Sequence, residues 1–221
     1  LFNDYLSRAG YLLTGGHHVA KVAMLYPINS TWAHYQPQYS DAVSSVIQEE
    51  FNYITDRLLR LHVDFDYIDE DVLHTCELKD GALTIRGERY ECLLLPGVTH
   101  IKQKTLDMLE AFVRDGGSVI ADTLLPIAFV DGGSEEVPAR VKALFGMNGQ
   151  AVYDAFRRGD KLIREFSCRK EGKGQVILTP AFAQENREAQ LRQAVLACVK
   201  PEIEIDNDEV FYLHRVKDGQ D

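Results

Sequence analysis

Between Val19 and Tyr26 every residue except Lys21 is apolar or aromatic, the pattern of a strand covered on both faces. Pro27 stops it. With Ser40 as the expected N-cap, Val43, Val46, Ile47, Phe51, Ile54, Leu58 and Leu61 recur at three- and four-residue steps, predicting a long helix with one polar face. Val63, Phe65 and Tyr67 then alternate with Asp64 and Asp66, the period of a strand with one wetter face, close to a sheet edge. Ala82 to Arg86 adds a short strand, and Tyr90 to Leu95 a buried one that ends at Pro96-Gly97.

Leu106, Leu109, Phe112 and Val113 lie on one side of a helix stopped by Gly116-Gly117. Ser118 to Ala121 is the next strand. A loop through Asp131-Gly132-Gly133 leads to a helix near Pro138 to Phe145, closed by Gly146. Leu162 to Cys168 and Gln175 to Thr179 flank a glycine-bearing turn and predict an antiparallel hairpin. A last helix carries Leu191, Ala194, Val195 and Cys198 before Pro201. The order βαβ(β)βαβα, hairpin, helix predicts an α/β fold: a doubly wound, mainly parallel sheet of flavodoxin-like type with an antiparallel hairpin.

The ends read differently. Leu1 to Leu13 is an amphipathic helix with Phe2, Tyr5, Leu6 and Leu12 to bury, and Phe211 to Val216 is a strand running into the turn signal Asp218-Gly219. The expected organisation is a helix and linker over 1–18, the α/β domain over 19–200, and over 201–221 an edge strand or the start of a following β domain, the whole being a segment of a larger protein.

Acidic residues outnumber basic ones 34 to 24, a net charge of −10. Such a field repels phosphate backbones and anionic membranes, which argues against nucleic-acid and membrane partners. No apolar run approaches the roughly 20 residues of a membrane span, and nothing at the N-terminus marks a compartment. Cys92 and Cys198 fall on apolar faces and Cys76 and Cys168 in polar stretches, with no CxxC spacing, so no zinc cluster or redox pair is assigned.

Ligands of open α/β sheets bind beyond the carboxyl ends of the strands. After the first strand comes a loop, Tyr26 to Tyr35, that holds Asn29, Ser30, Thr31, Trp32 and His34. Asp69 and Glu70 follow the second strand, Thr99 the third, and Asp122 and Thr123 the fourth. Aromatic faces with carboxylates and hydroxyls suit a sugar, although aromatic loops more often pack against a neighbouring domain or subunit. The acidic run Asp64, Asp66, Asp69, Glu70 and Asp71 lacks the Gly and Glu of a calcium loop and reads as a solvated face. His17-His18 read as exposed loop residues or a domain contact, and no metal or cofactor is assigned. The connection after Tyr26 has no glycine for a phosphate loop. The turn Ala121-Asp122-Thr123-Leu124-Leu125 has no Cys or Ser for a nucleophile elbow. No carboxylate pair is assigned to glycoside cleavage.

The segments GHHVAKVAMLYPINSTWAHYQP, DFDYIDEDVL, YECLLLPGVTHIKQKTLDMLEAFVRDGGSVIAD and YLHRVKDGQD resemble the interior of large bacterial glycoside hydrolases of the α-L-rhamnosidase-like kind. In these a catalytic barrel precedes a class I glutamine-amidotransferase-like domain and β-sandwich domains follow. A similar domain mediates trimer formation in some β-galactosidases. The resemblance implies an accessory domain whose partners are the barrel, the β-sandwich and a second copy. It transfers no catalytic residue, because the glycosidase carboxylates are expected in the preceding barrel, and the missing elbow cysteine argues against the glutaminase reaction. The alternatives are a carbohydrate-binding module and an autonomous hydrolase or amidase.

Overall fold

A computed structural model describes residues 2–39, 41–160, 162–164, 166–180, 186–203 and 205–217. Ser40 and the Asp218-Gly219 turn lie outside the described residues, as does the side chain of Leu12. Helix α1 (Phe2–Leu13) forms as expected, but Phe2, Tyr5 and Leu6 remain 71%, 67% and 49% exposed, so its apolar face is not buried by this chain. The two histidines expected in a loop form β1 (His17–His18). Strand β2 (Val22–Leu25) is buried throughout.

The stretch after β2 is not a loop. It winds at once into α2 (Ile28–His34), which puts Ser30 inside and Trp32 outside. Helix α3 (Ala42–Arg60) follows, with Asp41 as the N-cap, its carboxylate accepting from Val43 N. Strand β3 (Phe65–Ile68) is capped by the short helix α4 (Glu70–Leu73). Then β4 (Glu77–Lys79), β5 (Ala82–Ile85) and β6 (Glu88–Tyr90) make a three-stranded antiparallel sheet, of which the pattern predicts only the middle strand.

Strands β7 (Cys92–Pro96) and β8 (His100–Ile101) lead to α5 (Gln103–Asp115), and β9 (Ser118–Asp122) and β10 (Ala128–Phe129) to α6 (Val137–Phe145). Helix α7 (Gly149–Arg157), capped by Asn148, was not expected: only Gly149, Val152 and Ala155 are buried, too few to stand out as a stripe. The hairpin is β11 (Ser167–Glu171) and β12 (Gly174–Thr179). Its first arm begins five residues later than the Leu162 start, because pairing with β12 stops where Ser167 meets Leu178. Helix α8 (Arg187–Cys198) and β13 (Arg215–Val216) complete the chain. Of the expected strand Phe211 to Val216 only the last two residues pair, antiparallel with β1, so the two flanking segments meet each other.

The central sheet has the order β11-β12-β9-β7-β2-β3, parallel except for β11. Alternate residues divide its core in two. Ala23, Leu25, Leu93, Leu95, Val119, Ala121, Val176 and Leu178 pack with α5, α6 and α7. Val22, Met24, Cys92, Leu94, Ile120 and Ile177 pack with α8 and the second half of α3. Continuous apolar runs in the inner strands are the sequence expression of this two-sided burial. β3 is the edge strand, as its alternation predicts.

The acidic run is only partly solvated. Asp64 and Asp66 flank His18, whose Nε2 lies 2.8 Å from Asp64 Oδ2 and whose Nδ1 lies 3.3 Å from Asp66 Oδ1. Hydrogen bonds to the two carboxylates push the His18 pKa up to about 10. Glu70 is buried and Asp71 exposed.

Phe112 is fully buried and lies against Gly117, where an added Cβ would come within 2.1 Å of its ring. Gly174 is equally obligatory, since a Cβ there would sit 2.2 Å from Gly117 O. Phe112→Ala should therefore lower stability by about 3–5 kcal/mol, read from the urea midpoint. A loss below about 1 kcal/mol would show that α5 is not anchored by this ring.

Candidate functional site

At the carboxyl edge of the sheet β2 lies between β3 and β7, the place where the order of winding reverses and where such sheets usually open a crevice. Ser30 is buried here. Its Oγ donates to His100 O (3.0 Å) and accepts from Thr99 N (2.9 Å) and His100 N (3.0 Å). These three bonds tie α2 to the segment after β7. Beside them His34 Nε2 lies 3.2 Å from Thr99 Oγ1 and its Nδ1 lies 3.3 Å from Asp41 Oδ2. Thr99 Oγ1 also meets His100 Nδ1 at 3.0 Å.

Asp41, His34 and Thr99 have the order of a carboxylate, base and hydroxyl nucleophile. Thr99 is 0% exposed, however, so no substrate carbon can approach its oxygen. Burial holds both His34 and His100 below the ordinary imidazole range. His34 is further fixed by stacking on Tyr153, with ring centroids 5.6 Å apart. The arrangement is a clamp between α2 and the segment after β7.

A second group gathers on Glu70. One carboxylate oxygen accepts from Asn29 Nδ2 at 2.6 Å, and the other from Lys102 N at 2.6 Å and from Thr105 Oγ1. Both oxygens are thus engaged in holding α2, α4 and α5 together. Asp69 serves as the N-cap of α4, accepting from Val72 N at 2.8 Å, and Thr31 Oγ1 donates back to Pro27 O at 3.0 Å.

The third group stands at the elbow after β9. Thr123 adopts φ +67°, a conformation that strains a β-branched residue. Leu124 N donates to Asp122 O at 2.7 Å and closes a three-residue turn around it. The Thr123 hydroxyl donates to Asp122 Oδ2 at 2.9 Å and that of Thr179 to Asp122 Oδ1 at 2.8 Å. Arg187 reaches Asp122 Oδ2 at 3.5 Å, pairs with the buried Glu50, and lies 3.8 Å over the Tyr53 ring. Burial raises the Asp122 carboxyl to about 7 against the pull of the two hydroxyls, and lowers Arg187 to about 10.

The structure therefore divides the twelve expected residues. Ser30, His34 and Thr99 form one buried cluster, Asn29 and Glu70 a second, and Asp122 and Thr123 a third. Thr31 and Asp69 cap local turns. Tyr26, Trp32 and Tyr35 face outward, 45%, 68% and 63% exposed. Tyr26, Asn29, Trp32, Asp69 and Glu70 share an open cleft of about 740 Å³ with Arg86, Glu88 and Lys102. Sequence reasoning missed His100, Asp41, Arg187 and Glu50. Glu50 carried a signal: it sits on the apolar stripe of α3 between Ile47 and Ile54, where a carboxylate must have a partner.

The family model for alpha-L-rhamnosidase matches residues 1–221. The chain belongs to the alpha-L-rhamnosidase family. A curated Formosa agariphila protein named "Putative beta-glucuronidase" is 28% identical over 120 residues, 54% of this chain and 9% of that protein. Among solved structures, a GH42 beta-galactosidase from G. stearothermophilus is similar with 13% identity and a TM-score of 0.60, over 88% of this chain and 32% of that one. A beta-galactosidase from Bacillus circulans sp. alkalophilus gives 15%, 0.61, 98% and 36%. These likenesses establish a shared mixed α/β fold. The rhamnosidase-family chain spans about a third of those two structures' chains and under a tenth of the curated relative.

Asp122 offers a test of the elbow. A carboxyl whose folded pKa is about 7, above the ordinary carboxyl value of roughly 3.9, is stabilising below the lower value and loses that contribution as pH rises through the higher one. The stability of the wild type relative to Asp122→Asn should fall between about pH 4 and 7 and then level, measured by urea midpoints across that range. A difference that grows with pH would mean that Arg187 keeps the carboxylate ionised.

Proposed function

We propose that this chain is a non-catalytic accessory part of an alpha-L-rhamnosidase, of flavodoxin-like, class I glutamine-amidotransferase-like build, that packs against the catalytic barrel of the same protein. Two features support the build. The five parallel strands, numbered in chain order, lie in the order 2-1-3-4-5, the flavodoxin-like order. The turn after the fourth strand is a strained, positive-φ elbow.

The observation that carries the non-catalytic reading is what occupies that elbow. A nucleophile there needs an exposed, activated side chain. Thr123 is 4% exposed, and its hydroxyl proton is directed to Asp122. Asp122 is itself held by Thr179, and no imidazole contacts the pair among the described residues. The exposed rings of Tyr26, Trp32 and Tyr35 supply an aromatic contact face of the kind enriched at interfaces. A β-sandwich following in sequence and a second copy of the chain are further expected neighbours.

One observation favours a second reading, carbohydrate binding. Trp32 and Tyr26 line the same open cleft as Asp69 and Asp71, which combines stacking surface with hydroxyl acceptors.

The purified 221 residues should release neither sugar from an aryl α-L-rhamnoside nor ammonia from glutamine above the buffer rate. Turnover abolished by a substitution within the chain would overturn the reading. In the same sample, a saturable change in Trp32 fluorescence on titration with rhamnose or galactose would select the second reading, and the first expects none.

A further inference from the structure

His18 ends β1, Asp66 lies on β3 and Glu88 begins β6, so three separately folded elements bring one imidazole and two carboxylates together. One ligand atom from each lies within 4.8 Å of the other two. Asp66 divides its oxygens: Oδ2 accepts from Tyr90 OH at 2.9 Å, while Oδ1 faces His18 Nδ1 at 3.3 Å. Asp64 holds the far side of the imidazole, 2.8 Å from Nε2, and is itself fixed by Phe65 N and His214 N at 3.1 Å each. Glu88 is half-buried, and no hydrogen bond or ion pair to its carboxylate is present among the described residues.

We propose that His18 Nδ1, Asp66 Oδ1 and the Glu88 carboxylate form a binding site for a zinc-class divalent cation. A carboxylate on the second nitrogen of a ligating histidine fixes its tautomer and ring orientation, and Asp64 occupies that position. Three protein ligands of one nitrogen and two oxygens suit zinc, with positions left for water, whereas calcium takes six to eight oxygens. Ligand bonds of about 2.0–2.2 Å draw the three atoms in to roughly 3.4 Å of one another. Asp64, Asp66 and Glu88 outnumber the imidazole, so the site carries excess negative charge. Arg215 and the imidazole of His17 also lie near enough to act on Glu88. A proton on His18 Nδ1 and the cation compete for the same place. Occupancy joins the segment after α1 to the sheet edge and to the three-stranded sheet.

The test is a titration of the chelator-treated protein with zinc, followed by calorimetry and by thermal unfolding. Expected are one equivalent bound and a rise in Tm of roughly 5 °C or more at saturating zinc, with calcium giving no rise. Glu88→Gln should unfold within about 2 °C of the metal-free wild type, since it removes a carboxylate crowded by Asp66, and should lose the zinc response. His18→Gln should lose it too. No heat and no shift in the wild type at 100 μM zinc (roughly 5.5 kcal/mol of affinity) would overturn the proposal. A response kept in both variants would overturn it equally, because the ion would then be bound elsewhere.

Discussion

The structure depends on how backbone polar groups are satisfied where parallel strands end. Each strand of such a sheet delivers unpaired N–H and C=O groups to one edge, and these must find partners or face water. In many sheets of this kind a ligand supplies some of those partners. In this chain side chains do it. Ser30 takes the N–H groups of Thr99 and His100 and returns its own proton to a carbonyl. The Glu70 carboxylate takes Lys102 N. The hydrogen-bonding groups beside β7 and β9 are thereby engaged by the polypeptide itself, while the open cleft next to them presents Tyr26 and Trp32 together with Asp69 and Asp71.

That engagement explains why an edge rich in carboxylates, histidines and hydroxyls presents so little available chemistry. Glu70, Asp122, Ser30 and Thr99 are the residue types that catalyse hydrolysis, and each is buried with its polar atoms engaged. The buried Glu50 and its partner Arg187 follow the same logic at the α3 and α8 interface, where the guanidinium stacked on Tyr53 reaches both Glu50 and the Asp122 carboxyl. Buried charges of this kind are costly to separate and hold elements in one register, so their cluster reads as architecture.

The strands were legible in the sequence wherever two-sided burial wrote a continuous apolar run, as in Val22–Leu25 and Cys92–Pro96. The helices were legible wherever one stripe was long, as in α3 and α5. Short elements with few buried positions were not: α7 buries three residues and β4 none. Asn29 to His34 lie on a helix where a loop was expected, and the roles of the edge residues were not readable, because Ser30 and Thr99 meet across 69 positions and Asp122 and Thr179 across 57. The pairing of His18 with Asp64 and Asp66 was hidden in the same way, since adjacent histidines and an alternating acidic strand each look solvated alone. The exposed face of α1 shows the converse: an amphipathic pattern predicts a surface to be covered without saying that this chain covers it.

The most direct measurement of whether the edge is closed is the reactivity of a thiol placed at the elbow by Thr123→Cys, in a background where exposed Cys168 is replaced by Ser. Alkylation of that position by iodoacetamide, followed by peptide mass spectrometry, reports access under native conditions. The account predicts modification slowed by at least about a hundredfold relative to the same thiol in urea, since reaction would require local opening worth about 2.7 kcal/mol or more. Native alkylation as fast as that of the unfolded chain would contradict it and reopen the elbow as a reactive site.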